Sequence, residues 1–338
     1  MELDVVFIGT SGSVPTARRG APAILVRRGG DRFLVDCGEG TQRQLLRSTV
    51  GLVDVPDILL THYHADHFLG IPGLLKTLAL RGRDVPLTVA GPPGLKEIFH
   101  SLRRVIGRLP YELVLDEVVA GDTIPRGDYR VDVFAVEHGV DAVGYAFVED
   151  ARPGRFDVDA ARAIGVPEGR DWGSLQRGES VKLADGQTVS PDDVLGETRA
   201  GRSVVITGDT RPTRSVVDAA YEAQVLVHDG TFSDDEADRA VATGHSTARE
   251  AAEIARFAGV GVLSLVHLSS RYGGSEIARQ AGEVFENTFV ARDFDLIEVP
   301  YPERGEPIVH RRGARADGRR QQEQPAHAAV AAEAPSDP

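Results

Sequence analysis

The most informative stretch of the sequence is Thr61-His62-Tyr63-His64-Ala65-Asp66-His67. It follows a short apolar run over residues 57–60, which predicts a buried strand, and it precedes a helix predicted over residues 68–80 with Pro72 and Gly73 in its first turn. Residues two apart in an extended loop project to the same side, so His62 and His64 can bind one ion together. Asp66 and His67 can then face a second ion where the chain turns into the helix.

Other histidine and aspartate residues follow predicted strands further along the chain. His138 comes after a strand over residues 131–137, Asp209 after one over 204–207 and His267 after one over 262–266. Strand ends along one edge of an α/β sheet meet in a common crevice. Nitrogen and oxygen ligands without sulfur suit zinc or manganese, and two such ions about 4 Å apart can hold a phosphodiester. Isolated histidines such as His100 and His310 are interpreted as structural or solvated.

The composition is that of an ordinary globular protein. The chain has 338 residues, a formal net charge of −13 and a single cysteine, Cys37. It contains no long apolar run and its first residues are acidic, so we expect neither a membrane-spanning helix nor a signal peptide. The lone cysteine cannot form an internal disulfide, which favours a reducing cytoplasm. The negative charge argues against non-specific nucleic-acid binding but allows a local basic groove.

The sequence pattern divides the chain into three parts. Residues 1–150 and 200–312 alternate between strand-like and helix-like segments, which predicts one α/β body. Residues 151–199 are rich in Gly, Pro, Asp and Arg and have weak apolar periodicity, so we interpret them as an insertion that projects from the body. Residues 313–338 are dominated by Ala, Arg, Gln and Pro, a composition that cannot bury a core, and they predict a disordered tail.

The order of the candidate ligands, HxHxDH followed by a distant His, an Asp and a His, resembles the metallo-β-lactamase superfamily. The resemblance covers about residues 1–310. It implies an α/β fold of the αββα sandwich type, with two zinc ions per subunit. It also implies two ligand sets that share one aspartate: His62, His64, His138 and Asp209 for one ion, and Asp66, His67, Asp209 and His267 for the other.

Further motifs resemble the short form of the tRNase Z (ribonuclease Z) family within that superfamily. They are Phe7-Ile8-Gly9-Thr10, residues 33–44, residues 204–211, Gly244-His245-Ser246-Thr247 and residues 267–272. The insertion over residues 151–199 resembles that family's flexible arm. The resemblance implies a homodimeric, zinc-dependent endoribonuclease that removes the 3′ trailer of precursor tRNA near the discriminator base and leaves a 3′-hydroxyl. The arm would grip the elbow of the tRNA, usually for the partner subunit.

The resemblance also implies roles for residues beside the ligands. Asp66 would orient or deprotonate the attacking water as well as bind an ion, and His245 would protonate the leaving oxygen. The alternative for His245 is that it merely precedes a helix capped by Ser246 or Thr247. His228 and Asp229 would support His245. Three arginines are candidates for contacts with substrate phosphates: Arg19, Arg170 and Arg271.

Three positions depart from the family pattern. Asp229 stands where the family often has glutamate, and its carboxylate, one methylene shorter, is expected to orient His245 differently. Glu168-Gly169-Arg170 replaces Pro-Gly-Pro in the arm, so the tip should be looser while Arg170 gains a possible phosphate contact. Ala17 and Gly20 stand where some relatives carry a lysine and an asparagine associated with handling of a 3′ CCA.

Two other functions are compatible with these residues. A two-metal phosphodiesterase or arylsulfatase-like hydrolase of a small substrate would use the same core, but it has no obvious use for the insertion. A non-catalytic RNA-binding relative without metals would not need seven ligand candidates. The sequence therefore favours the endoribonuclease.

Overall fold

Two large β-sheets with flanking helices make up the computed structural model, which describes residues 1–52, 55 and 57–311. The strands, numbered in chain order, are β1 (Leu3–Gly9), β2 (Ala23–Arg28), β3 (Asp31–Val35), β4 (Asp57–Leu59), β5 (Leu87–Gly91), β6 (Leu113–Glu117), β7 (Thr123–Pro125), β8 (Tyr129–Ala135), β9 (Val143–Glu149), β10 (Val181–Lys182), β11 (Thr188–Val189), β12 (Ser203–Ile206), β13 (Val225–Asp229), β14 (Val262–Val266), β15 (Thr288–Val290), β16 (Leu296–Glu298) and β17 (Ile308–His310). The α-helices are α1 (Thr41–Arg47), α2 (Ala65–Phe68), α3 (Ile71–Leu80), α4 (Leu95–Ile106), α5 (Val158–Ile164), α6 (Arg170–Gln176), α7 (Arg214–Ala219), α8 (Ala237–Thr243), α9 (Ala248–Ala258) and α10 (Gly274–Gly282). Short 3₁₀ helices span Pro191–Asp193, Asp234–Glu236 and Pro302–Arg304.

Each of the two sheets contains a run of neighbouring parallel strands. The first sheet has the order β17-β16-β1-β2-β3-β4-β5-β6 and the second has the order β15-β14-β13-β12-β9-β8-β7. Strands β3 to β6 run parallel in the first sheet, and β12 to β15 run parallel in the second. Because the carboxyl ends of parallel strands share one edge, the loops after β4, β12 and β14 open at such edges.

Alternation of side chains along the strands builds the layers. In β1, Val5 and Phe7 pack in the core between the two sheets, whereas Val6 and Ile8 pack in a second core under helices. Helices α1, α3 and α4 cover the outer face of the first sheet, and α7, α9 and α10 cover the outer face of the second. The order helix, sheet, sheet, helix confirms the predicted αββα sandwich.

The helix predicted over residues 68–80 is observed as α3, which begins at Ile71, so the prediction was wrong only at its start. Helix α2 ends at Phe68, and α3 begins at Ile71 with Pro72 in its first turn. Proline is tolerated there because backbone N–H groups in the first turn have no acceptor within the helix. Gly70 lies between α2 and α3 against the backbone of the loop after β3. A Cβ at Gly70 would stand 2.0 Å from the carbonyl oxygen of Gly38, so only glycine allows this approach. In the described part of the chain, no helix has the length and apolar character needed to cross a bilayer.

The insertion leaves the second sheet after Glu149 and returns at Ser203. Helices α5 and α6 and the hairpin β10-β11 pack around a small apolar cluster of their own: Ala161, Val166, Leu175, Val181, Val189 and Val194. The weak periodicity of the sequence did not predict these elements, because each is short and buries only one or two side chains. The boundaries at residues 150 and 200 stay a prediction, and the predicted tail over 313–338 lies outside the described residues.

Candidate metal centre

Loops from both sheets bring the predicted ligands together. His62 lies in the loop after β4 of the first sheet, while His138, Asp209 and His267 follow β8, β12 and β14 of the second. His267 comes directly after β14 and has a left-handed backbone with φ of 59°, which is uncommon for a residue with a Cβ. This strained turn redirects the imidazole from the strand toward the other ligands.

The first ligand group consists of three histidines and one aspartate. The ligand atoms of His62, His64, His138 and Asp209 all lie within 4.8 Å of one another. His64 Nδ1 is 3.0 Å from His62 Nε2 and 3.1 Å from His138 Nε2. Only one proton can lie between two neutral imidazole nitrogens, so hydrogen bonds alone cannot satisfy three that converge this closely. A cation that all three nitrogens contact would satisfy them.

The second ligand group shares the same aspartate. Asp66, His67 and His267 form a set within 4.8 Å, and His67 Nε2 and His267 Nε2 each lie 3.3 Å from Asp209 Oδ2. His267 Nε2 is also 3.2 Å from Asp66 Oδ2. Asp209 Oδ2 therefore stands between the two groups, where the resemblance places a bridging ligand.

In three of the ligand histidines, the ring nitrogen Nδ1, which points away from the ligand cluster, contacts a polar partner. His67 Nδ1 is 2.8 Å from Asp36 Oδ2, His138 Nδ1 is 2.8 Å from the carbonyl of Gly244, and His267 Nδ1 is 2.7 Å from Thr231 Oγ1. These contacts leave Nε2 of each ring directed at the ligand cluster. Metal-binding histidines in proteins almost always use their second nitrogen in this way, because the partner sets both the tautomer and the ring orientation.

His245 lies beside the ligand cluster and is held by Asp229. Its Nδ1 is 2.9 Å from Asp229 Oδ2, so the aspartate reaches the imidazole despite being shorter than glutamate. The ring stacks on His267 with centroids 5.1 Å apart. His245 also groups with Asp209 and His267 as a possible ligand set, but its Nδ1 is 3.9 Å from Asp209, farther than from Asp229. The nearest carboxylate partner of His245 Nδ1 is therefore Asp229 rather than the shared aspartate.

The carboxylate of Asp229 decides the charge of His245. Burial alone would lower the pKa of His245, but the charge and hydrogen bond of Asp229, with a smaller effect from Asp209, raise the pKa to about 9. Since the folded-state pKa exceeds the ordinary value of 6.5, this ion pair stabilises the folded protein fully below pH 6.5. That contribution is lost as the pH rises through about 9.

We expect an Asp229→Asn variant to move the pKa of His245 from about 9 to near or below 6.5, because the amide keeps the shape but not the charge. The measurement is an NMR titration of the His245 ring proton in metal-free protein, with the exposed His100 as the internal reference. A His245 pKa that stays near its wild-type value in the variant would show that Asp229 does not set it.

The structure distributes the three candidate arginines differently. Arg271 lines the crevice over the ligands, with Nη1 2.8 Å from Glu236 Oε1. Arg19 turns into the body, where its Nη1 donates to Thr10 Oγ1 and to the carbonyl of Ala291, both at 2.6 Å. Arg170 begins α6 in the insertion and is exposed. The crevice thus receives only Arg271 from this set.

His228 stands behind Asp229 with its imidazole buried. Its Nδ1 is 2.8 Å from the carbonyl of Asp229, and its Nε2 is buried without a hydrogen-bond partner in the described structure. Burial is the largest influence on the pKa of His228 and lowers it. The contact is with the backbone beside the His245 partner rather than with His245 itself.

Other residues at the site were not assigned from sequence. The crevice has a volume of about 630 Å³, and Phe232 and Arg239 line one side of it. Asp36 and Thr231, which hold ligand histidines, are also new. The only sequence signal for these last two is their position just after a strand, and it does not show which histidine each residue contacts.

The chain is similar to known proteins over most of its length. A family model described as the metallo-beta-lactamase superfamily matches residues 17–258. Ribonuclease Z from Myxococcus xanthus is 48% identical over 302 residues, which cover 88% of this chain and 98% of that protein. Ribonuclease Z from Haloferax volcanii is 48% identical over 306 residues, which cover 89% of this chain and 96% of that protein.

Two solved structures with this fold each align over 88% of this chain. The short form of human tRNase Z aligns with a TM-score of 0.64 at 27% identity, over 88% of this chain and 99% of that one. The metallo-beta-lactamase fold protein YhfI from Bacillus subtilis aligns with a TM-score of 0.65 at 20% identity, over 88% and 100% of the two chains. At that identity the second match supports the fold alone.

Proposed function

The chain belongs to the ribonuclease Z family of the metallo-β-lactamase superfamily, and from this premise we propose that it is an endoribonuclease that removes the 3′ trailer of precursor tRNA. Water would attack a phosphodiester near the discriminator base, and the bond from phosphorus to the 3′ oxygen would break. The tRNA would keep a 3′-hydroxyl and the trailer a 5′-phosphate. The observation that carries the proposal is the convergence of two ligand groups on Asp209 beside His245.

The donor set fits two zinc ions. All the converging donors are imidazole nitrogens and carboxylate oxygens, which zinc accepts. His67 Nε2 and Asp209 Oδ1 are buried without a hydrogen-bond partner in the described residues, a costly arrangement unless a cation contacts them. The residues that would hold zinc are the seven ligands named from the sequence. When bound, zinc acidifies water and neutralises charge that develops on phosphate.

We infer that Asp66 orients or deprotonates the attacking water. Burial alone would raise its pKa, but the hydrogen bond from His267 and the charge of His67 outweigh burial and hold the pKa below its ordinary value. The backbone N–H of Ser13 donates to Asp66 Oδ2 at 2.8 Å and orients the carboxylate. An ionised, oriented carboxylate at the crevice supports the role of metal ligand and of an acceptor that orients the attacking water.

We infer that His245 protonates the leaving 3′ oxygen. Asp229 engages Nδ1, which leaves Nε2 for the substrate, and the raised pKa keeps the imidazole protonated at neutral pH. Arg211 donates to the carbonyl of His245 and forms an ion pair with Glu250. Glu250 in turn completes the capping box of α9 with Thr247, so the loop that carries His245 is anchored on both sides.

The insertion over residues 151–199 would serve as the arm that binds the tRNA elbow, and the enzyme would act as a homodimer in the cytoplasm. The separate apolar cluster of the insertion supports a unit that can hold its shape away from the body. The single buried cysteine is compatible with a reducing compartment. The family resemblance of the sequence supports the dimer.

A cleavage assay tests the proposal directly. A 5′-labelled precursor tRNA with a 3′ trailer is incubated with zinc-loaded protein, with and without chelator, and the product end is mapped to one nucleotide. We expect a chelator-sensitive cut next to the discriminator base. If zinc-loaded protein leaves the precursor intact but hydrolyses bis(p-nitrophenyl) phosphate, the small-substrate phosphodiesterase replaces our proposal.

Removal of the insertion should reduce activity on precursor tRNA but not on bis(p-nitrophenyl) phosphate. Arg152 and Arg199 pair through their backbones, with N···O distances of 2.7 and 2.9 Å, so the two ends of the insertion lie side by side. A three-residue Gly-Ser-Gly linker in place of residues 152–198 should therefore span the gap. We expect this variant to lose at least about 100-fold in kcat/KM on precursor tRNA, because contacts far from the reacting bond are lost. Hydrolysis of bis(p-nitrophenyl) phosphate should be unchanged.

Mixed subunits provide the control for this deletion. If the arm of one subunit serves the crevice of its partner, a mixture of the arm deletion and His245→Ala should regain activity that neither variant has alone. Equal loss on both substrates in the deletion variant, or full retention of tRNA cleavage, would rule out the arm's role.

A further inference from the structure

The two chain segments that connect the insertion to the body are paired with each other. Arg152 N donates to the carbonyl of Arg199 at 2.7 Å, and Arg199 N donates back at 2.9 Å. A little farther out, a Cβ at Gly154 would stand 1.9 Å from the carbonyl oxygen of Gly196, so the two backbones touch. The segments therefore move as one unit, and whatever holds them orients the whole insertion.

Side chains of this pair reach a residue far away in sequence. Arg152 forms a bidentate ion pair with Glu303, in which Nη1 and Nη2 donate to the carboxylate at 3.0 and 2.9 Å. Arg199 Nη1 lies 3.1 Å from the same carboxylate. About a quarter of the Arg152 and Glu303 side chains is exposed. The hydrogen bond from Arg152 is the largest influence on the pKa of Glu303 and lowers it to about 2. Glu303 is thus charged at every physiological pH and forms ion pairs with two guanidinium groups.

Tyr301 continues the contact into the body. Its ring lies between two guanidinium groups, with Arg152 at 3.5 Å and Arg202 at 4.0 Å from the centroid. Arg202 is buried, and it binds Glu149 at 2.6 and 2.8 Å and the carbonyl of Val299 at 2.8 Å. The insertion is therefore coupled through one aromatic ring to a buried ion pair at the end of β9.

Few other interactions attach the insertion. Among ion pairs of the described residues, those that link 151–199 to the rest of the chain both end on Glu303. The pairs Arg162–Glu168 and Arg177–Glu179 stay within the insertion, as does its apolar cluster. Among the described residues, the side-chain hydrogen bonds from the insertion to the body are those to Glu303 and one from Arg152 Nη2 to the carbonyl of Ala200 at 3.2 Å. The orientation of the insertion on the body thus depends on two chain connections and on this small set of contacts.

We propose that Arg152, Arg199, Tyr301 and Glu303 form a root clamp, which holds the insertion at the angle at which one tRNA can contact both the arm and a catalytic crevice. This inference rests on the proposed function. Tyr301 and Glu303 are positioning residues that touch neither the reacting atoms nor the arm tip. A rigid arm loses less conformational entropy when the substrate binds, so the clamp lowers KM for long substrates without changing the chemical step.

Kinetics on two substrates test the clamp. In Glu303→Gln and Tyr301→Leu we expect KM for precursor tRNA to rise about tenfold, while kcat stays within about twofold of wild type. Hydrolysis of bis(p-nitrophenyl) phosphate should be unchanged, because it needs no arm. Arg152→Lys keeps the charge but loses the two-nitrogen grip and the planar stacking, so it should show the same pattern. The matched control is Glu276→Gln, which removes a two-nitrogen pair with Arg279 on α10.

A distance measurement tests the same inference without tRNA. Spin labels are placed at two exposed sites, Ala163→Cys on α5 and Glu97→Cys on α4, while the buried Cys37 stays unlabelled. We expect Glu303→Gln to broaden the distribution of distances between labels, and Glu276→Gln to leave it unchanged. An unbroadened distribution, or a broadened one with an unchanged KM, would overturn the clamp. If wild-type protein fails to cleave precursor tRNA, the proposed function falls while the distance measurement still decides the clamp.

Discussion

An Asp66→Ala variant is expected to lose about 10³-fold or more in its rate of precursor tRNA cleavage. Its carboxylate lies within reach of His67 and His267 in the second ligand group, and it stays ionised at low pH. The substitution removes a proposed ion ligand and the carboxylate that we infer orients or deprotonates water, and general base catalysis alone contributes about 10²–10⁴-fold. Both precursor tRNA and bis(p-nitrophenyl) phosphate should be affected, since every substrate needs the same nucleophile.

The measurement pairs rates with metal content and tRNA binding. Elemental analysis shows how many zinc ions remain in Asp66→Ala, and gel-shift titration shows whether precursor tRNA still binds. The control is Asp84→Ala, an exposed aspartate away from the crevice. Wild-type rates in Asp66→Ala protein that carries its full metal complement would show that Asp66 has no part in the chemistry.

A His245→Ala variant should slow the chemical step on precursor tRNA by about 10²–10³-fold and leave binding unchanged. His245 is protonated at neutral pH because Asp229 raises its pKa to about 9, so it can give a proton to the 3′ oxygen as the bond to phosphorus breaks. The nitrophenolate of bis(p-nitrophenyl) phosphate departs without a proton. We therefore expect His245→Ala to hydrolyse this substrate nearly as fast as wild type, in contrast to Asp66→Ala.

Single-turnover experiments with excess enzyme isolate the step in question. They separate a slow cleavage from weak binding or slow product release. His100→Ala, on the exposed face of α4, serves as the matched histidine control. An equal loss on both substrates would place His245 among the metal ligands instead, in the group that it can form with Asp209 and His267.

The ligand cluster could be predicted because its signal is local. The segment 61–67 places four candidate ligands in one turn, and strand ends are predictable from short apolar runs, so His138, Asp209 and His267 are found by position alone. The residues behind them are different. Thr231 and Asp36 act on His267 and His67 through contacts that join distant parts of the chain, and nothing in local sequence reports such pairs.

The insertion and the basic residues show the limits of sequence patterns more plainly. Helices α5 and α6 bury too few side chains to produce a helical period, although both form around Ala161 and Leu175. Arg19 has the sequence surroundings of a substrate-binding arginine, yet the structure turns it toward Thr10 and Ala291. Whether an arginine faces solvent or the interior depends on partners supplied by the fold, here residues 9 and 272 positions away along the chain.

The division of the ligands between the two sheets has a consequence for assembly. Residues 61–67 belong to the first sheet, while His138, Asp209 and His267 belong to the second, so an ion held by both groups acts as a cross-link across the sandwich. The unfolded chain keeps only the local segment and binds ions weakly, so metal occupancy adds to the cooperativity of folding by mass action. A newly synthesised chain can therefore form this cross-link completely only after β14, which precedes the last ligand His267, has joined the second sheet.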